Sequence, residues 1–388
     1  MGERTHTAGA VTAGRTALAL ALFGGFGGFT SFYLLLSVVP AYAARGGAGP
    51  TGSGLCTGAL MLTTVVVQPL VPRSFAVMGR RRTLLAGGVL LGAPCLLLPL
   101  SAGLPALIAL NLVRGLGFGV IVVTSVVAVA ELVPPGRWGQ RMGLYGAVIG
   151  LAGIVGSPAG LWTVHRFGYQ PAFVLAAAAT VPVFLAAGAL RAAPAHAAPT
   201  AERHAGTGEL VRLIAPAFLV EAVSTTAYGV IFTFLPLVVA RDGAWLAPAA
   251  LLVVQATSTA ARWASGGLID RFGGGRLLAP AILASAVGVA AGALPGNAAA
   301  VLAGMALFGV GFGVTQNASL VVVLRATRGA GTSVGSVAWN LAFDAGTGLG
   351  AIGGGLVLSA GGAAALFLSA SALSALSLGA ARTGPRRG

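Results

Sequence analysis

Twelve long apolar runs, separated by short arginine-bearing loops, constrain this chain more than any other sequence feature. An α-helix needs about 20 apolar residues to cross a bilayer, and each run is close to that length or longer. Only 8% of the residues are charged, whereas a soluble domain carries about 25%, so most of this chain must face lipid or itself. The runs lie near 16–40, 53–72, 83–101, 105–133, 139–163, 171–190, 212–240, 246–268, 277–295, 299–324, 331–358 and 362–381.

The loop arginines predict the orientation of these runs. All 23 basic residues are arginine, and with the N-terminus inside, eighteen fall in inner segments and three in outer loops. Because positively charged loops stay in the cytoplasm, we expect a multi-pass protein of the plasma (inner) membrane with both termini cytoplasmic. The first run is longer than the apolar part of a signal peptide and has no cleavage site after it, so we interpret it as a span.

Other features of the composition argue against several classes of protein. The net charge of +15 is typical of nucleic-acid binding, but the arginines are scattered and no basic patch with interleaved aromatics occurs. Cys56 and Cys95 lie inside apolar runs without metal-ligand spacing. No catalytic cluster and no phosphate-binding Gly–Lys loop is present. We therefore expect no nucleic-acid partner, no metal, no cofactor and no enzyme activity.

An internal repeat relates the two parts of the chain. The sequence GLGFGV at 115–120 recurs as GVGFGV at 309–314, an offset of 194 residues. A Gly-x-x-Arg sequence at 79–82 recurs at 273–276 with the same offset. Two separate places that share one offset indicate a duplication rather than chance similarity between glycine-rich segments.

The longest polar stretch, 191–211, divides the repeats, and its Pro, Ala and His content is typical of a flexible cytoplasmic linker. The sequence therefore predicts an all-α membrane protein with twelve transmembrane helices in two pseudo-repeated six-helix bundles, 1–190 and 212–388. Two such bundles around a central pathway are an architecture of transporters.

The loop after the eighth run reads GGLIDRFG at 266–273. It resembles the loop signature of the major facilitator superfamily, G-x-L-x-D-R-x-G. The resemblance extends to the span count, the repeat and the linker, and it implies the major facilitator fold with Gly266, Asp270, Arg271 and Gly273 as a conformational motif. A carboxylate there can bind the N–H groups at the start of another helix or an arginine, with Arg141 as a candidate, and so latch one half to the other.

The first-half copy of this motif, PRSFAVMGRRR at 72–82, departs from the signature. Gly79 and the arginines remain, but Ala76 stands in place of the acid and Val77 in place of the base. We therefore expect two unequal latches.

Two further stretches are similar to motifs of the same family. Arg114, in RGLGFG of the fourth run, resembles the family's span-4 arginine motif, which is linked there to proton coupling. Gly146, Gly153 and Pro158 of the fifth run match part of the antiporter signature of drug exporters, G-x6-G-x3-G-P-x2-G-G, in which a serine here replaces one glycine and Leu-Trp the final pair. The alternatives are an arginine bonded to nearby carbonyls and ordinary close helix packing.

Of the eight acids, Glu221 and Asp344 fall deep inside runs. Acids at that depth are costly and usually functional, and removal from water favours the protonated carboxyl. Together with Arg114 they are our candidates for proton coupling, and static pairing with Arg114 or Arg262 is the alternative. We select Tyr33, Tyr228, Gln316 and Asn340 as candidates for the substrate cavity, although helix packing explains each of them equally well.

These features predict a secondary active transporter that works as a monomer in the lipid bilayer, with protons and a small molecule as its partners. The family resemblance implies proton-coupled efflux of small hydrophobic drugs or secondary metabolites by alternating access. A proton-coupled importer (symporter) of a small nutrient uses the same fold, but the partial antiporter signature favours export. A non-transporting scaffold or receptor is less consistent with the sequence, because it needs no buried charges.

Overall fold

A computed structural model describes residues 2–101, 103–132, 138–189, 207–272, 274–327 and 332–383. The described chain is helical and contains no strand. Lipid offers no partner for backbone N–H and C=O groups, so even glycine-rich apolar segments form helices there. The helices are α1 Gly2–Leu36, α2 Val38–Arg45, α3 Gly49–Val67, α4 Val71–Met78, α5 Arg80–Leu97, α6 Leu104–Leu132, α7 Trp138–Phe167, α8 Tyr169–Ala178, α9 Val181–Ala189, α10 Thr207–Val238, α11 Leu246–Phe272, α12 Gly274–Ala290, α13 Ala298–Ala326, α14 Thr332–Leu376 and α15 Leu378–Thr383.

Within the described residues, ten helical stretches are long and apolar enough to cross a membrane. The last of them, Gly335–Ala381, contains Gly362 with φ 73° and ψ −172°, so two helices meet there. Helix α11, which coincides with the eighth predicted run, is not among the ten. A multi-pass membrane protein is confirmed, whereas the total of twelve spans stays a prediction. Most of the predicted linker, 191–206, lies outside the described residues, and 207–211 belong to α10.

The two halves pack their helices by matching contacts. A Cβ atom on Gly115 of α6 would overlap the hydroxyl of Thr63 on α3, and one on Gly309 of α13 would overlap that of Thr257 on α11. Thr63 and Thr257 are themselves 194 residues apart. Both glycines are therefore needed for a close approach of two helices, and the repeat seen in the sequence is also a repeat of packing. The same offset relates the close approach of Gly117 to Gly87 to that of Gly311 to Ala281.

The halves meet tightly at the end of the bundle where α2 is followed by α3, which we name the distal end because it lies opposite the beginning of α1. There the Ser37 hydroxyl donates to the Phe232 carbonyl at 2.6 Å, and the Thr51 and Ser359 hydroxyls are 2.9 Å apart. Gly54 on α3 lies so close to α14 that a Cβ atom would overlap the backbone of Ala351. The two halves are thus closed against each other at the distal end.

Candidate transport cavity

A narrow cavity of about 60 Å³ lies between the two halves. Its walls come from α1, α6 and α7 of the first half and from α10, α11, α13 and α14 of the second. On α1 and α14 its residues precede the distal contacts, so the cavity lies on the opposite, proximal side of them. The lining aromatic side chains are Phe29, Phe32, Tyr33, Phe118, Tyr228, Phe312, Trp339 and Phe343.

Stacked rings form one aromatic wall in each half. Phe32 stacks on Phe118 with 4.0 Å between ring centroids, and Tyr228 stacks on Phe312 at 4.9 Å. Phe118 and Phe312 are related by the 194-residue offset, so the duplication places an equivalent ring on each side. Such paired rings bury a large apolar area and offer flat faces to an aromatic or apolar compound.

The glycines of the fifth run lie where α7 meets α11. A Cβ atom on Gly153 would overlap the side-chain amide of Gln255, and one on Gly146 would lie 3.8 Å from the Arg262 guanidinium. Pro158 lies inside α7. The Tyr228 hydroxyl donates to the Gln255 carbonyl oxygen at 3.5 Å. The small residues therefore let two polar side chains of α11 reach the wall of the cavity.

Asp344 of α14 lines the cavity and is 4% exposed. Its Oδ2 atom accepts a hydrogen bond of 2.5 Å from Nε2 of Gln68. Gln68 follows α3 in the first half, so this bond joins the two halves directly. It is the contact between halves that involves a buried acid in the described part of the chain.

Glu221 of α10 is fully buried and lies behind the cavity wall. Its two carboxylate oxygens accept hydrogen bonds from the Gln316 amide and, at 2.7 Å, from the Ser319 hydroxyl. Trp339 Nε1 donates to Ser319 at 3.0 Å, and Arg262 Nη2 donates to the Gln316 carbonyl oxygen at 2.8 Å. Gln316, Trp339 and Arg262 all line the cavity, so they connect the buried acid to it.

Arg114 of α6 is 1% exposed and lies inside the first half. Its Nη1 atom donates to Asn111 at 2.9 Å, and the Cys95 thiol lies beside it. In the described part of the chain its Nε and Nη2 atoms have no partner, and no hydrogen bond or ion pair joins it to either buried acid. The structure therefore does not bring Arg114 together with Glu221 or Asp344, and Arg262 is the cation connected to Glu221.

Comparison with known proteins identifies the family. The sequence profile of the Major Facilitator Superfamily matches residues 21–343. The chain belongs to this superfamily. Its helices superpose on nucleoside transporter NupG with a TM-score of 0.70 at 14% identity, covering 95% of this chain and 98% of that one. They superpose on the human organic anion transporter MFSD10 with a TM-score of 0.66 at 19% identity, covering 95% and 99%. These two likenesses show a shared fold.

Two curated relatives in the superfamily match shorter segments. Multidrug transporter protein MdtP of Bacillus subtilis is 24% identical over 119 residues, which are 31% of this chain and 22% of that protein. The vacuolar membrane amino acid uptake transporter fnx2 of Schizosaccharomyces pombe is 26% identical over 117 residues, 30% of this chain and 20% of that protein. The alignments thus span about a fifth of the length of each relative. The two solved structures that share this fold are both transporters.

The four residues predicted to form the substrate cavity lie together in the structure of this superfamily member. Tyr33, Tyr228, Gln316 and Asn340 all line the cavity; that they bind substrate stays a prediction. Ser319 and Trp339 were missed from the sequence. One available signal was the spacing of Gln316 and Ser319, three residues apart on one helix and hence on one face.

The loop motif of the superfamily lies at the proximal end of α11. Arg271 is exposed, and a Cβ atom on Gly266 would meet no atom within 4 Å. The side chain of Asp270 and the whole of Gly273 lie outside the described part of the chain. In the first-half copy, Gly79 has a φ of 78°, a conformation that favours glycine, and this explains why that glycine remains where the acid does not.

Proposed function

We propose that this chain is a proton-coupled exporter of small, largely apolar compounds that works by alternating access of its two halves. The observation that carries the proposal is the aromatic cavity between the halves, with the acid Asp344 in its wall bonded to Gln68 of the other half. Transporters of two pseudo-repeated bundles bind substrate near the membrane midplane and rock the bundles around that site.

Protonation of Asp344 is the step that links the proton to this motion. A hydrogen bond to a charged carboxylate is roughly twice as strong as one to a neutral group. Loss of the charge therefore weakens the bond between Gln68 and Asp344 and with it one tie between the halves. Substrate and proton need only favour different arrangements of the halves for exchange to follow.

The arginine distribution of the loops supports the orientation that we propose, with both termini and the 191–211 linker in the cytoplasm. The distal end, where the halves are closed, then faces outside, and the cavity lies on the cytoplasmic side of it. A cysteine placed at Ala198, in a background without Cys56 and Cys95, should resist an impermeant thiol reagent in intact cells and react after lysis. Reaction in intact cells would reverse the orientation.

Import of a small zwitterion, such as an amino acid, is the second candidate, and the short match to an amino acid uptake transporter favours it. Arg262 and Asp344 both line the cavity and have the charges that a zwitterion requires. Each, however, already bonds to a glutamine side chain, and eight of the lining residues are aromatic. This wall and the match to a multidrug transporter lead us to favour export.

A growth screen against a panel of toxic lipophilic compounds tests the proposal. Cells that express the chain should tolerate some compounds better than cells that express Asp344→Asn, and an uncoupler should remove the advantage. Greater sensitivity of the expressing cells would indicate uptake. Resistance that survives the uncoupler would leave transport without proton coupling.

A further inference from the structure

The hydrogen bonds around Glu221 all donate toward its carboxylate. A guanidinium only donates, so the Gln316 carbonyl oxygen must face Arg262, which leaves the Gln316 NH₂ group to face Glu221. An indole N–H also only donates, so Ser319 accepts from Trp339 and donates to Glu221. Both oxygens of a charged Glu221 are thus satisfied from fixed directions.

A protonated Glu221 has to donate, and its two partners differ in their ability to accept. The Gln316 NH₂ group cannot accept, and reversing the amide would point that group at the Arg262 guanidinium, donor against donor. The Ser319 hydroxyl has two acceptor sites besides its hydrogen. Its hydrogen also has a second acceptor, the backbone carbonyl of Gln316, at 3.2 Å.

We propose that Ser319 is the positioning residue that lets Glu221 hold a proton while the Arg262–Gln316–Glu221 chain stays intact. In the charged state the Ser319 hydrogen points to Glu221 Oε2. In the protonated state the new proton resides on Glu221 Oε2 and bonds to Ser319 Oγ. The serine hydrogen then turns to the backbone carbonyl oxygen of Gln316. Trp339 donates to Ser319 in both states. This inference rests on the proposed proton coupling and adds Glu221 to Asp344 as a group that exchanges a proton.

The charged and titratable groups near this cluster come from several helices packed around α10. Arg262 of α11 is the charged group that acts on Glu221, and Gln316 and Ser319 of α13 are neutral. Asp344 of α14 is bonded to Gln68. Among the described side chains, the other titratable groups on these helices that line the cavity are Tyr33 of α1 and Tyr228 of α10. The arginines on the same helices are exposed, and they are Arg212 of α10, Arg271 of α11, Arg276 of α12 and Arg325 of α13.

Infrared difference spectra of the purified full-length protein in lipid nanodiscs, recorded between about pH 5 and pH 9 without substrate, test the inference. Documented buried carboxyls titrate within this range. A band of a protonated carboxyl that Glu221→Gln removes and Asp344→Asn retains belongs to Glu221. We expect Ser319→Ala to move this band to higher frequency, because the carboxyl O–H then loses its acceptor, and Ser319→Thr to restore it.

Two further variants sharpen the result. Ser319→Cys keeps the side-chain size, so it guards against misfolding, and its weaker acceptor should give a smaller shift of the same sign. Ser258→Ala is the matched control, since Ser258 lies in the same cavity wall and bonds to the Gln255 carbonyl at 3.1 Å; it should leave the band unchanged. An unchanged band in Ser319→Ala and Ser319→Cys overturns the role of Ser319 alone. A spectrum that Glu221→Gln does not alter removes Glu221 from proton exchange and overturns this inference, while the proposed protonation of Asp344 is tested separately by the loss of a band in Asp344→Asn.

Discussion

The two halves share their packing and differ in the polar groups at equivalent positions. Gln68 and Arg262 are related by the 194-residue offset, yet Gln68 binds an acid of the other half and Arg262 binds a glutamine of its own half. The position equivalent to Arg114 is Phe308. The duplication thus preserves the glycine contacts that hold helices together, whereas the ionisable groups diverge and make each half chemically distinct.

The largest effect should come from the second half, which contains the two acids that are buried among the described side chains. We expect at least one of Glu221→Gln and Asp344→Asn to reduce proton-driven flux to background, because an amide keeps the shape of the carboxyl but cannot exchange a proton. The measurement is flux into proteoliposomes under an imposed pH gradient, using the compound that gives the strongest resistance in the growth screen.

The first half contributes a third coupling candidate, Arg114, to this comparison. Arg114→Ala should also abolish flux if the arginine takes part in coupling, as its motif implies, although the structure connects it to neither acid. Gradient-driven flux that persists in both acid variants would refute the coupling scheme. Loss of flux in Arg114→Ala with both acids intact would place part of the coupling in the first half.

Replacing a closely packed glycine should lower the stability of the protein by similar amounts in the two halves. Gly115→Ala and Gly309→Ala each place a methyl group against a neighbouring helix, and overpacking of this kind costs about 1–3 kcal/mol. Both variants should lower the Tm of the detergent-purified protein by similar amounts. Gly188→Ala, where an added Cβ would meet no atom within 4 Å, is the control. Unequal losses would show that only one half depends on its glycine contacts.

The difference between the repeated packing and the divergent polar groups explains how much of the molecule could be predicted. Helices, family and repeat follow from apolar length and from glycines, because lipid and close packing restrict what those residues can do. The placement of Tyr33 and Gln316 in the cavity wall followed from their polarity within apolar runs. The partner of each acid could not be predicted, since it depends on helix rotation. One nitrogen of Arg114 bonds to Asn111, three residues earlier on the same helix. The motif that contains Arg114 does not predict this partner.

A smaller effect is expected at the loop motif 266–273, which we interpret as a latch at the proximal end of α11. Asp270→Asn should reduce transport several-fold while the protein remains in the membrane, because a neutral amide binds N–H donors or arginine more weakly than a carboxylate does. Flux and membrane abundance are measured together. Ala76→Asp, which adds the missing acid to the first-half copy, should change flux less than Asp270→Asn. Normal flux in Asp270→Asn would end the latch hypothesis.

The smallest effect concerns the rings that the duplication places in both walls. Phe118 and Phe312 occupy equivalent positions and each stacks on a second ring of its own half. If a flat apolar compound binds between the two walls, Phe118→Leu and Phe312→Leu should raise its KM by similar factors. Each factor should be about three- to ten-fold, the size of one aromatic contact.

The Phe308→Leu variant separates this binding effect from a loss of packing. Phe308 stacks on Phe312 at 5.5 Å between ring centroids but does not line the cavity, so its replacement should lower stability without raising KM. A rise in KM in all three variants would mean that ring packing, not contact with the substrate, sets the affinity. A rise confined to Phe312→Leu would show that the substrate rests on the second half, beside the buried acids, and that the first half serves as the wall that closes over it.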